Sequence, residues 1–297
     1  MPGTDPTFLA TKHSSLSWAL IPAFILSSSG LFLYTFRITW VGWIMVAVAL
    51  LIAWLFDRRG MTHDLFRDLL LIAIGMVIVS TTSVKADISW LNFVVVGLVL
   101  GLAVLVPYLI VRFVYRDGYG PDGKPLPDAK YRRRIRFPWR IEKRWGFAQW
   151  AYLVGIVAAG YLILPFYFIQ SGTYLNWPEV STWDEVGRLF VGVNAVGTWD
   201  ELFFICTVFA LYRRHFPTWQ ANILQAIVFV SFLWELGYQS WGPLLTIPFA
   251  LIQGYTFNLT KSLTYVLTVH LLFDLFVFLA IVSARNPEAL PIFLITP

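Results

Sequence analysis

Nine apolar runs with few or no charges dominate the chain, at about residues 16–36, 38–56, 69–84, 90–111, 148–170, 189–212, 218–236, 241–258 and 262–283. A membrane helix needs about 17 to 25 such residues to cross a hydrocarbon core of about 30 Å, and most of the runs qualify. The third and eighth are the shortest, and the sixth contains Gly192 and Gly197. The expectation is therefore an all-α, polytopic integral membrane protein with eight or nine transmembrane helices. Only 13% of the 297 residues are charged, against roughly 25% in soluble domains. An aromatic content of 18% excludes disorder. The single cysteine, Cys206, excludes a disulfide framework and a cysteine-based zinc cluster. The first run, preceded by Lys12 as its only basic residue and lacking a small-residue cleavage site, does not read as a cleaved signal peptide.

Lysine and arginine orient the chain. With a cytoplasmic N-terminus and nine crossings, 18 of the 22 basic residues fall inside, and only Arg37, Lys85, Arg188 and Arg285 fall outside. The N-terminus is expected in the cytoplasm and the C-terminus outside. Trp40, Trp90, Trp150, Trp177 and Trp241 stand near span ends, as an interfacial aromatic belt would. Residues 1–114 read as a four-helix scaffold, 115–147 as a basic cytoplasmic loop, and 148–297 as a C-terminal transmembrane region.

Eleven of the basic residues lie between Arg112 and Arg144. The first part of the loop is turn-rich, and the second, from Lys130, interleaves bases with aromatics. Such a segment suits anionic lipid or a cytoplasmic partner, each basic residue near an anionic surface contributing about 1 kcal/mol; it also serves simply as a topology anchor. No nucleic-acid-binding module is present, so nucleic acid is not expected as a partner.

The first five runs hold no Asp, Glu, His, Lys or Arg, whereas the later ones hold Asp200, Glu201, Glu235, His270 and Asp274. A charge at mid-bilayer costs about 2.5 to 3.5 kcal/mol on insertion scales. Basic partners are scarce, since between Leu189 and Val282 the only ones are Arg213, Arg214 and Lys261, at cytoplasmic ends. A bound cation, shared protons or a water-filled cleft would compensate. His270 and Asp274, four residues apart, share a helix face within about 40°, whereas the adjacent Asp200 and Glu201 diverge by about 100°. One of that pair is thus expected to point at the centre while the other flanks it. At about 1.5 Å per residue, Glu235 lies farther outward than Glu201 and Asp274, a mismatch that a tilted or broken seventh helix would remove. His13, His63 and His215 flank spans and read as solvated. Asn194, Gln225 and Gln253 read as bonds between helices rather than as site residues. The sequence Thr-Trp-Asp-Glu occurs at both Thr182 and Thr198, and the repeat reads as coincidence.

The order of an acidic pair, a helix carrying one ionisable residue, a glycine-containing helix and then His-x-x-x-Asp resembles the CPBP (CAAX protease and bacteriocin-processing, or Abi) membrane proteins. The family motifs read Glu-Glu-x-x-x-Arg, Phe-x-x-x-His and His-x-x-x-Asn/Asp. The third is matched by His270 and Asp274, and Phe249-Ala-Leu-Ile-Gln-Gly-Tyr resembles the glycine-containing helix before it. The resemblance covers about residues 185–282. In the first motif Asp200-Glu201 replaces Glu-Glu and Ile205 stands at the Arg position; in the second, Ser231 and Glu235 stand for Phe and His.

The resemblance implies hydrolysis of peptide bonds in membrane-associated proteins or peptides, with Asp200, Glu201 and His270 as catalytic residues, in a bacterial cytoplasmic membrane. It leaves two chemistries open. In one, Glu201, Glu235, His270 and Asp274 hold a divalent metal, zinc or, given the carboxylates, Mn, Mg or Fe, which lowers the pKa of bound water. In the other, without metal, Asp200 activates water while His270 and Asp274 stabilise the oxyanion. The replacement of His by Glu235 favours the metal-bound form, or a site without protease activity, because it places like charges together. Two other functions fit the same residues: a non-catalytic scaffold or partner chaperone, and a cation- or proton-coupled transporter with the acids along its path. No internal repeat supports the transporter.

Overall fold

The computed structural model describes residues 17–115, 135–139, 144–295 and 297. The loop residues 116–134 and 140–143, the greater part of the basic segment, and His13 lie outside the described residues. Every regular element among the described residues is helical. The principal helices are α1 (Leu20–Thr35), α2 (Thr39–Arg58), α3 (Leu65–Ser80), α4 (Trp90–Val114), α5 (Phe147–Gln170), α6 (Trp183–Tyr212), α7 (Thr218–Leu236), α8 (Pro243–Thr260) and α9 (Leu263–Arg285). They coincide with the apolar runs to within a few residues.

Five of them, α2, α4, α5, α6 and α9, are long and apolar enough to cross a membrane, and α1 is a shorter apolar helix. Large apolar side chains such as Trp40, Leu91, Leu98, Phe147, Val154 and Leu162 are exposed along these helices. A water-soluble protein of this size does not present so many on its surface, so the chain is an integral membrane protein. The less apolar α7 carries Gln220, Asn222, Gln225, Ser231 and Glu235, all buried within the protein.

The chain divides into two compact units. The first comprises residues 1–81, 100–137 and 203–228; the second comprises 82–99, 138–202 and 229–297. In the first, α1, α2 and α3 pack together, and α3 also meets the end of α6. Tyr34 Oη donates to the Met76 carbonyl at 2.7 Å, and the Ser27 and Tyr212 hydroxyls share a hydrogen bond of 2.7 Å. Here one sequence expectation is corrected. His215 is not solvated: its Nε2 lies 2.8 Å from Asp68 Oδ2, while Arg214 Nη1 lies 2.7 Å from Asp68 Oδ1. The helix α3 begins before the apolar run does, so it carries Asp68 into the protein, where the turn after α6 supplies its partners.

In the second unit α9 packs against α5, α6 and α8. Ser262 caps it, its Oγ accepting from Tyr265 N at 3.3 Å, and the Leu263 amide donates to the Pro138 carbonyl at 3.0 Å. At the other end, Arg285 Nη2 donates to the Trp177 carbonyl at 2.7 Å. Trp177 is buried, its ring against Phe168 and Tyr238, whereas Trp40, Trp90 and Trp150 are exposed, so Trp177 does not belong to an aromatic belt. The helix α6 starts with a capping box: Thr182 Oγ1 accepts from the Glu185 amide, and Glu185 Oε2 accepts from the Thr182 amide. The first Thr-Trp-Asp-Glu therefore starts the helix whose second copy carries Asp200 and Glu201.

Replacing Asp68 by Ala leaves Arg214 and His215 facing a void, and the loss of one partner from a buried ion pair costs about 3 kcal/mol. Chemical denaturation in detergent is expected to show that loss for Asp68→Ala, while Arg37→Ala, at an exposed position, stays near wild type.

Candidate active site

Four of the five ionisable residues singled out in the sequence meet in the second unit. Asp200 and Glu201 come from α6, and His270 and Asp274 from α9; their exposures are 2%, 0%, 3% and 5%. His270 Nδ1 lies 2.7 Å from Glu201 Oε1. On the other edge of the ring, Nε2 lies 3.7 Å from Asp200 Oδ2 and 3.9 Å from Asp274 Oδ1. Phe249 meets the imidazole edge to face at 4.9 Å between centroids, and Phe229 lies 6.1 Å away. The ring therefore has little freedom to turn.

The divergence of Asp200 and Glu201 by about 100° does not send one of them out of the site. His270 inserts beside α6 and presents a nitrogen on each edge, so each acid addresses a different nitrogen. At Glu201 the helix also widens. From Glu201 to Phe209 its hydrogen bonds run i→i+5, a π-helical stretch. Such turns recur at functional sites because they change the phase of side chains along one continuous helix. Shorter ones occur at Leu31–Thr35, Ile110–Val114 and Phe166–Gln170, the last directly after Pro165, which removes a backbone donor.

Gln253, read from sequence as a bond between helices, belongs to the site. Wholly buried on α8, it donates from Nε2 to Glu201 Oε1 at 2.7 Å and to the Val266 carbonyl at 3.2 Å. Nothing in the sequence separates it from Gln225, which bonds Asn222 one turn earlier at 3.0 Å. Asn194 donates within its own helix, to the Phe190 carbonyl at 2.8 Å.

Glu235 has a different setting. It is the penultimate residue of α7, which runs unbroken from Thr218 to Leu236. Its Oε1 accepts from Ser83 Oγ and from the Val84 amide, each at 3.3 Å. Those bonds run to the α3–α4 connection rather than to His270.

His270 Nδ1 is engaged by Glu201, and Nε2 stands 3.7 and 3.9 Å from the two aspartates. Among the described residues no group of three or more His, Cys, Asp or Glu side chains is placed to hold a metal ion. Nε2 faces the two aspartates from beyond direct hydrogen-bond reach. Asp200 Oδ1, Glu201 Oε2 and Asp274 Oδ2 are buried and have no hydrogen-bond partner. Buried carboxylate oxygens seldom stand so, and the two from Asp200 and Asp274 belong to the acids that face Nε2.

With this geometry in place, the comparisons add a family. Residues 182–276 match a family model described as type II CAAX prenyl endopeptidase Rce1-like. The matched segment begins at the capping threonine of α6 and contains Asp200, Glu201, Glu235, Gln253, His270 and Asp274. The CPBP resemblance thus stands for this segment, which covers about a third of the chain. Neither a curated protein nor a solved structure matches the chain.

Gly197 makes the close approach of α6 to α9 possible. A Cβ there would overlap Asp274 Oδ2 and stand 3.0 Å from Asp274 Cγ and 3.3 Å from His270 Cδ2. Gly187, on the same helix, has nothing within 4 Å. Alanine favours a helix interior over glycine by about 1 kcal/mol, whereas overpacking costs about 1 to 3 kcal/mol. In denaturation measurements Gly187→Ala is therefore expected to be neutral or stabilising and Gly197→Ala destabilising.

Proposed function

We propose that the chain is an intramembrane endopeptidase that hydrolyses peptide bonds of membrane-associated proteins or peptides, without a metal, at the Asp200, Glu201, His270 and Asp274 cluster. The observation that carries this reading is the Glu201–His270 contact of 2.7 Å, buried in the segment that matches the Rce1-like model. A carboxylate bound to one imidazole nitrogen orients the ring and supports charge on it. Asp200 takes the proton of the water as it attacks the carbonyl carbon, while His270 and Asp274 stabilise the oxyanion. Burial excludes bulk water, which strengthens each of these interactions.

The test is a screen in which the purified full-length chain, in lipid nanodiscs, is incubated with solubilised membrane proteome and new protein termini are sequenced. Cleavage is expected for the wild type, with a fall of at least about 10²-fold for His270→Ala and Glu201→Ala, both still folded. Cleavage is also expected to survive a metal chelator. A folded wild type that generates no new termini overturns the reading. Alanine variants that complement a deletion strain as well as wild type would favour the scaffold function instead.

The same proposal takes all nine helices as crossings, with the N-terminus in the cytoplasm of a bacterial cell and the C-terminus outside, on the distribution of basic residues. Cys206 is buried, so an added cysteine can be read with little background. A membrane-impermeant thiol reagent is expected to label Glu288→Cys, at an exposed position, on intact spheroplasts. It is expected to label Arg58→Cys, also exposed, only after permeabilisation.

A further inference from the structure

The start of α9 is held by the end of the basic segment and the start of α5. The first amides of a helix have no partner within it. At α9, Ser262 Oγ takes the amide of Tyr265, and the Pro138 carbonyl takes the amide of Leu263 at 3.0 Å. Beside that bond, Thr264 Oγ1 donates to the Trp139 carbonyl at 2.5 Å. Trp145 meets the Tyr265 ring edge to face at 5.1 Å between centroids, and Tyr265 Oη donates to the Gln149 carbonyl at 2.9 Å. The stretch from Pro138 to Gln149 is thus tied to three successive residues of α9. His270 follows Leu263 by seven residues, about two helical turns.

The same stretch turns other side chains outward. Trp139, Phe147 and Trp150 are 50%, 89% and 56% exposed, and Arg144 is exposed as well. Rings grouped with an arginine are costly to leave in water, but they suit the headgroup level of a bilayer, where the ring meets the acyl boundary and the guanidinium meets phosphate. Phe147 and Trp150 stand in the first turn of α5, a helix long and apolar enough to cross a membrane. This surface therefore lies at the edge of the lipid rather than out in solvent. The charge along the chain selects the kind of lipid: between Arg112 and Arg144 eleven basic residues accompany four acids, a net charge of +7.

We infer that Trp139, Arg144, Phe147 and Trp150 form a docking surface for anionic phospholipid headgroups, and that docking there steadies the start of the helix that carries His270 and Asp274. The arginine fork supplies paired donors to phosphate oxygens, and the rings fix the depth. The route to α9 is short, because the backbone carbonyls of Pro138 and Trp139 are the acceptors for Leu263 and Thr264. The effect on cleavage rests on the hydrolase reading, but the docking does not.

The experiment places the full-length protein in nanodiscs of phosphatidylcholine alone or mixed with phosphatidylglycerol, and follows amide hydrogen exchange at residues 263–266. Anionic discs are expected to slow exchange there by at least about 5-fold, the effect of one basic residue at an anionic surface, and to speed cleavage of the membrane proteome. The slowing is expected to disappear at about 1 M salt, where the Debye length is about 3 Å. It is also expected to be lost in the double variant Trp139→Ala, Arg144→Gln. Both positions are exposed, so the fold is retained, which unchanged exchange within α2 verifies. Equal exchange in the two discs, or slowing that persists in the double variant, overturns the inference. Slowing in neutral discs on addition of a cytosolic extract, with no response to phosphatidylglycerol, overturns it in favour of a soluble protein partner. Exchange that responds while cleavage proceeds equally in both discs overturns the link to the site. If exchange responds as expected but no form cleaves anything, the docking stands and the hydrolase reading falls.

Discussion

The buried contact between Glu201 and His270 is what gives the rest of the second unit its form. Two strongly polar groups have been removed from water, and in a low-dielectric interior each is costly without the other. The helices that bring them together are correspondingly constrained. The helix α6 approaches α9 where Gly197 leaves room for the Asp274 carboxylate, and α8 lies where Gln253 reaches the free side of Glu201. Phe249 and Phe229 pack against the ring. A single contact of 2.7 Å thereby accounts for a small residue on one helix, an amide on a second and aromatics around a third.

Asp68 offers an instructive contrast. It is as deeply buried as Asp274, yet Arg214 and His215 occupy both of its oxygens. That is the ordinary solution for a carboxylate inside a protein. The α6–α9 cluster departs from it: among the described residues no arginine or lysine is bonded to Asp200 or Asp274, and an oxygen of each is left without a partner.

Much of this was legible in the sequence, for a physical reason. The cost of an ionisable group in hydrocarbon makes acids in apolar runs conspicuous, so Asp200, Glu201, His270 and Asp274 stood out without any knowledge of the fold. The helices were legible for the same reason, because a long apolar run in a chain with so few charges has few alternatives to a helix. What escaped was whatever depends on partners. Gln253 and Gln225 are the same residue in similar surroundings along the chain, and only the approach of α6 to α8 distinguishes them. Glu235 stands where the family motif has His, but it lies at the end of α7, where its carboxylate accepts from the Val84 amide. His215 sits at the end of an apolar run, where solvation is the default, and its pairing with Asp68 depends on α3 starting earlier than its own run.

The wide stretch of α6 between Glu201 and Phe209 has a consequence for how this helix can vary. Each i→i+5 turn accommodates one residue more than an i→i+4 turn without breaking the helix. The stretch works as a slack element in the chain: residues before it and residues after it keep their own facings even though the spacing between them departs from the α-helical repeat. Loss of one residue there would tighten the helix toward the ordinary repeat rather than sever it. The acids at its head and the apolar side chains at its tail can therefore drift in relative register, while no single substitution can do the same.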